Sequence, residues 1–355
     1  MKTGMRSGWV LLCAVIGLGN VASALAEDVQ LRDPAKVVAE MAMTVHGGNE
    51  ISAPVYVNGK GPFEFVVDTG ATSSGIWNSV VQQNALENNH VETITVSAAD
   101  GLVRLRILEF GSVRAAVFAL DPAHLMEYPD YYSYYRRPLS GILGADYLTN
   151  HVVVFDFLRD KMVLYPKTAN LMRSMPGYFD AIPLRFEGEQ KALFVKAGIN
   201  GKRLNALVDT GASMTTILTS EHKKLGVSRE GAQQVTMTGV NGNPIRGYIV
   251  RLPALKAGSK VWKDVEVVFA QFTVGRADRF SMLLGMDLMG QTPFAVDYGR
   301  KRLLLAKPEK LNMVSRKDPR SQALVEAPEE LQCSFPSAAR EGLPCVVAPQ
   351  PEARR

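Results

Sequence analysis

Two identical pentapeptides hold the residues of this chain best suited to chemistry. Val67-Asp68-Thr69-Gly70-Ala71 recurs as Val208-Asp209-Thr210-Gly211-Ala212, an offset of 141 residues. Each follows a short apolar run, 63–67 and 204–208, that reads as a strand. A strand that ends on a glycine-containing turn presents its aspartate at a fixed point. One Asp-Thr-Gly alone is ordinary turn vocabulary. Two copies suggest a pair of carboxylates brought face to face, the arrangement of acid–base chemistry.

The surrounding elements repeat as well. Asn58-Gly59-Lys60 returns as Asn200-Gly201-Lys202, and helical patterns at 78–88 and 221–226 follow the two aspartate turns. Alternating apolar residues at 91–97 and 103–110 flank Asp100-Gly101, a hairpin signal. The segments 235–237 and 248–251 flank Asn241-Gly242 in the same way. Ile142-Leu143-Gly144 matches Leu283-Leu284-Gly285, and Asp156 matches Asp297. The carboxylate turn, hairpin tip and Leu-Gly turn all keep the 141-residue spacing. A strand at 113–120 corresponds to 264–271 at a different spacing, because the longer loop falls after it in the first half and before it in the second. A repeat of this kind is a duplicated structural unit. The expectation is an all-β chain of two homologous, β-barrel-like lobes, 27–168 and 175–307, related by a pseudo-two-fold axis with a cleft between them. A linker near 167–177 joins the lobes.

Length and composition agree with two cores: 355 residues, 46% apolar and 21% charged. Lys2 and Arg6, the apolar run 9–18 and Ala24-Leu25-Ala26 form a signal-peptide pattern over residues 1–26, which should lie outside the fold. Periplasmic or secreted localisation follows as an expectation. No later apolar run reaches the roughly 18 residues of a membrane span, so no stable membrane insertion is expected. The formal charge of +5 is spread along the chain, which argues against nucleic acid as a partner. No C-x-x-C or H-E-x-x-H pattern occurs, so neither a metal nor another cofactor is expected. Beyond Cys13 in the leader, Cys333 and Cys345 lie in a Pro-, Glu- and Ala-rich tail, 308–355, that reads as largely disordered. In an oxidising compartment those two could close a small disulfide loop. A loop dense in tyrosine, 128–135, packs on its own lobe or contacts a ligand.

Apolar-apolar-Asp-Thr-Gly-Ala, a hairpin with a glycine tip, then Ile/Leu-Leu-Gly resembles the aspartic proteases, and the retropepsin-like branch most, where alanine commonly follows Asp-Thr-Gly. The resemblance extends over about residues 41–307. It implies an aspartic endopeptidase in which Asp68 and Asp209 are the catalytic dyad. Thr69 and Thr210 would cross-link the active-site loops, supported by Gly70, Ala71, Gly211 and Ala212. Leu143, Gly144, Leu284 and Gly285 would pack beneath them. The tips at Asp100, Gly101, Asn241 and Gly242 would be flaps over an extended peptide or protein substrate, or else plain surface hairpins. One flap or two could work, and the protein would act as a monomer. Ala71 and Ala212 have no hydroxyl to stabilise a carboxylate, which implies a dyad that titrates higher than in relatives with Ser or Thr there. The alternative is a catalytically inactive peptide-binding module on the same fold.

Overall fold

The computed structural model describes residues 37–46, 49–130, 139–187, 192–272 and 280–311, together with the backbone at 9–10 and 12–13. The tail cysteines Cys333 and Cys345, and residues 131–135 of the tyrosine loop, lie outside the described residues. Strands dominate, arranged in three sheets. One sheet builds the first lobe and another the second. A third, six-stranded sheet runs under both.

In each lobe the strand before the aspartate is central. Lys60–Val67 pairs in parallel with Gly141–Leu143, and Lys202–Val208 pairs in parallel with Met282–Leu284. The Leu-Gly turns therefore lie beside the aspartate turns. The Asp68 amide donates to the Leu143 carbonyl at 3.0 Å, and the Asp209 amide to that of Leu284 at 3.1 Å. The apolar character of Phe65, Val66 and Val67 has a simple cause: all three are fully buried.

The floor sheet was not evident from the sequence. Its strands are Ala39–Ala42, His151–Asp156, Lys161–Pro166, Phe179–Pro183, Phe294–Asp297 and Arg302–Ala306. His151–Asp156 is buried on both faces, as its unbroken Val-Val-Val-Phe run requires. Val153 and Phe155 face the main core, whereas Val152 and Val154 face a second cluster with Tyr165, Phe179 and Leu304. This strand pairs antiparallel with Phe294–Asp297, and Val154 lies opposite Ala295, its own equivalent in the repeat. The pseudo-two-fold axis passes through that pair. Phe155 and Phe294 stack beside it, ring centroids 4.6 Å apart.

Several elements differ from expectation. The helix expected over 78–88 is only Asn78–Gln83, because Asn88–Ala98 is drawn into a long hairpin with Gly101–Phe110. The strand expected at 113–120 breaks into Val113–Ala115 and Phe118–Ala119, with Ala116 in the turn at φ 50°. The linker carries a helical turn, Leu171–Ser174. Tyr128 ends the strand His124–Tyr128 and is fully buried against Trp77. The leader, expected outside the fold, contributes two short strands, Trp9–Val10 and Leu12–Cys13. Among the described residues no helix is long and apolar enough to cross a membrane.

Gly75 shows how tightly the first lobe is packed. A Cβ there would lie 2.3 Å from Tyr128 Cε2 and 2.8 Å from the Met126 carbonyl. Gly75→Ala should cost about 1–3 kcal/mol of stability by overpacking, read as a lower urea midpoint.

Candidate active site

The two aspartate turns are locked to each other by their threonines. The Thr69 hydroxyl donates to the Val208 carbonyl at 2.8 Å and accepts the Thr210 amide at 3.1 Å. The Thr210 hydroxyl donates to the Val67 carbonyl at 2.7 Å and accepts the Thr69 amide at 3.0 Å. Both threonines are buried. Each hydroxyl thus satisfies one donor and one acceptor of the opposite lobe, groups that would be costly to bury unpaired.

Above this cross-link lie the carboxylates. Asp68 Oδ1 accepts the amides of Gly70 and Ala71 at 2.8 and 3.1 Å. Asp209 Oδ1 accepts those of Gly211 and Ala212 at 2.9 and 3.1 Å. The two carboxyl groups lie close enough for each to shift the other's titration. Gly70 is required for the approach, since a Cβ on it would lie 2.7 Å from Asp209 Cγ. Asp68 is 0% exposed and Asp209 2% exposed. Burial raises the Asp68 pKa to about 6, against the opposing pull of the turn amides. Burial, then the Asp68 charge, pushes Asp209 well above the carboxylate range. Desolvation outweighs the amide hydrogen bonds at both sites, and the Ala71 and Ala212 side chains offer no further donor to offset it.

A second matched pair of carboxylates lies behind the first. The Ser74 amide and hydroxyl donate to the two oxygens of Asp146 at 2.7 Å each, and the Ser74 oxygen accepts the Gly144 amide at 3.0 Å. In the second lobe the Thr215 amide and hydroxyl donate to Asp287 Oδ1 at 2.8 and 2.7 Å, and Thr215 accepts the Gly285 amide at 3.1 Å. These four side chains tie each aspartate turn to its Leu-Gly turn. Burial raises Asp287 to about 6. Sequence reasoning gave them no role, although Ser74 and Thr215, like Asp146 and Asp287, stand 141 residues apart.

The hairpin tips meet over the site. Asp100 Oδ2 accepts the amides of Asn241 and Asn243 at 2.8 and 3.1 Å. Its Oδ1 accepts Asn241 Nδ2 at 2.8 Å, and its carbonyl accepts Asn243 Nδ2 at 3.3 Å. Gly239 makes room for this, because a Cβ there would fall 2.3 Å from Asp100 Cγ. Gly101 and Gly242 take positive φ at the two turns, 134° and 78°. The structure therefore brings together Asp68, Asp209, both threonines and their glycines and alanines. Leu143, Gly144, Leu284 and Gly285 flank them, and Asp100 touches Asn241 across the cleft.

This duplicated lobe with one aspartate turn per copy defines a class, and the family comparison agrees. The family model described as aspartyl protease matches residues 53–147 and 195–288, more than half of the chain and once in each lobe. The chain belongs to the aspartyl protease family. No curated protein matches it. Among solved structures it is similar to a retropepsin-like aspartic protease from Rickettsia conorii, with 21% identity, a TM-score of 0.28, and coverage of 36% of this chain and 98% of that one.

Two outcomes follow. Thr210→Val keeps the shape but leaves the Thr69 amide and Val67 carbonyl without their partner. It should cost about 2–4 kcal/mol, and Thr69→Val in addition should cost less than its own single value, measured by denaturant unfolding of both singles and the double. Asp100→Ala should speed amide exchange at Asn241 and Asn243 by about tenfold while leaving residues 152–155 unchanged.

Proposed function

We propose that this chain is an aspartic endopeptidase that hydrolyses peptide bonds with an activated water and no covalent intermediate. The observation supporting this most directly is the buried, closely apposed pair Asp68 and Asp209, held by a symmetric cross-link. The two carboxyl groups share one proton, and their titration belongs to the pair and not to either residue alone. The ionised carboxylate takes a proton from water as it attacks the carbonyl carbon. The protonated one donates to the carbonyl oxygen, giving a neutral gem-diol. Collapse of the gem-diol returns a proton to the leaving amine. The peptide lies extended between the lobes, under tips that exclude water. The protein works as a monomer outside the cytoplasm, after loss of its leader.

The pH dependence has a definite sign. Lowering the pH through about 6 protonates the carboxylate of the pair that is still ionised, removes the base and cuts the rate, so the acid limb of kcat/KM should fall near pH 6. A profile peaking near pH 2 would contradict this. Asp68→Asn and Asp209→Asn should each lower cleavage of a mixed peptide library by about a thousandfold or more. Peptide binding with no cleavage by the wild type at any pH from about 3 to 8 would instead identify a binding module on this fold.

A further inference from the structure

The two lobes differ in charge on one matched surface. In the second lobe Lys202–Val208 pairs with Ala192–Ile199, which pairs with Pro244–Ala257, which pairs with Lys260–Ala270, all antiparallel. Residues opposite one another in such pairs share a face. Arg203 and Lys256 are each opposite Gly198, and Val261 is opposite Lys256, so they form one row across the sheet. Lys196 and Lys263 stand two residues along from Gly198 and Val261, on the same face. Lys196, Arg203, Lys256, Val261 and Lys263 are all exposed. The residues between them, such as Val195, Ala197, Leu204 and Trp262, point the other way into the main core. Lys202 and Lys260 stand at the adjoining turns. The stretches 192–206 and 254–263 therefore carry six cations and no carboxylate. The next carboxylates along, Asp264 and Glu266, are both engaged by Arg251, at 3.2 and 3.0 Å. Among the described residues none of the six cations enters an ion pair: Lys196 donates to Asn205, and Lys260 lies over the Trp262 ring at 6.0 Å.

The first lobe is an internal control. Its equivalent strands, Ile51–Val57, Lys60–Val67 and Val113–Ala115, carry only Lys60 and Arg114 against Glu64. The fold does not require a cationic face here, so the charge in the second lobe belongs to that lobe alone. The type of cation narrows the partner. Five of the six are lysines. Contacts between proteins are poor in lysine and rich in arginine and aromatic residues. A lysine is a point charge on a flexible stem, which suits mobile headgroups better than a fixed partner surface. A sheet face presents its charges in one layer, on strands about 4.8 Å apart, and so matches a broad anionic surface rather than a single small ion. Val261, 43% exposed, adds a small apolar contact among them. We propose that this face of the second lobe docks the chain on an anionic bilayer, with its lysines among the phosphate headgroups and without insertion. Arg203 stands six residues before Asp209 on the same strand, about 20 Å away along an extended chain. Docking at that far end keeps the bilayer away from the aspartate pair, and the inference is independent of what that pair does.

The test is cosedimentation of the full chain with vesicles of phosphatidylcholine, alone or with about one-third phosphatidylglycerol. Work at about 0.15 M salt screens charges more than about 8 Å from the contact. One variant combines Lys196→Glu, Lys256→Glu and Lys263→Glu. A comparator combines Arg104→Glu, Arg114→Glu and Arg173→Glu, exposed on other surfaces, and lowers the net charge by the same amount. Amide exchange at 152–155 checks that each variant is folded. The wild-type chain should bind the anionic vesicles, ignore the neutral ones and come off at about 0.5 M salt. The lysine variant should bind about a hundredfold more weakly or worse, at roughly fivefold per charge removed. The comparator should stay within about fivefold of the wild type. Equal loss in both variants, no loss in the lysine variant, or equal binding to neutral vesicles would overturn the proposal. Lysine-dependent binding to soluble polyglutamate that is tighter than binding to the vesicles would also overturn it, and would assign the face to an acidic protein.

Discussion

The reciprocal hydrogen bonds between Thr69 and Thr210 are the constraint from which the rest of the site follows. Net, four such bonds contribute only about 1 kcal/mol each. Their importance lies in what breaking them exposes: two buried amides and two buried carbonyls, one set from each lobe. The aspartate turns therefore cannot drift apart without a desolvation cost, and the adjacent carboxyl groups are held in contact. That contact is unfavourable for charge. It is tolerated because the turns are anchored independently, each through a parallel strand and a part-buried Ser–Asp or Thr–Asp pair behind it.

Duplication explains why equivalents meet so often. Val154 faces Ala295 in the floor, Thr69 meets Thr210 in the middle, and Asp100 meets Asn241 at the top. These pairs mark one axis at three heights. A single chain can also break the symmetry where identical subunits cannot. At the tips the first lobe supplies an acceptor, Asp100, and the second supplies donors, Asn241 and Asn243, so two like charges never face each other there. Ala98 is answered by Gly239, whose missing Cβ is the space that Asp100 fills. The floor and the cross-link need matching partners, whereas the tips need complementary ones.

How much of this was legible depends on the range of the interaction. The aspartate turns, hairpin tips and Leu-Gly turns are local, and a constant offset revealed both the lobes and the dyad. The shared floor sheet was not legible, because the pairing of His151–Asp156 with Phe294–Asp297 depends on how the lobes dock. Its only trace was the unbroken apolar run at Val152, Val153, Val154 and Phe155, which marks a doubly buried strand without naming its neighbour. The carboxylates Asp146 and Asp287 carry the repeat signal too, yet nothing local marks them as anchors of the aspartate turns, since their partners Ser74 and Thr215 lie 72 residues away. The broken strand at Ala116 had no signal of its own, since alanine gives no hint of a positive φ. At the leader the sequence is ambiguous: Trp9, Val10, Leu12 and Cys13 are apolar as a signal peptide requires, and the same character suits a strand at a sheet edge.

Burial also governs the protonation of the paired aspartates. Each carboxylate of the pair accepts two turn amides, which would ordinarily hold it below the usual carboxylate range, yet burial wins at both. The balance is set by water near the cleft. A ligand that expelled solvent from above the pair would strengthen every charge interaction beneath it. A charged dyad is then dearer and the shared proton is held more firmly. A polar occupant that carried water in with it would relax the same pair toward ordinary acidity. In a site with alanine after each Asp-Thr-Gly, no hydroxyl buffers that response. The protonation of Asp68 and Asp209 is therefore tied to whatever covers them, because it sets how much water reaches the pair.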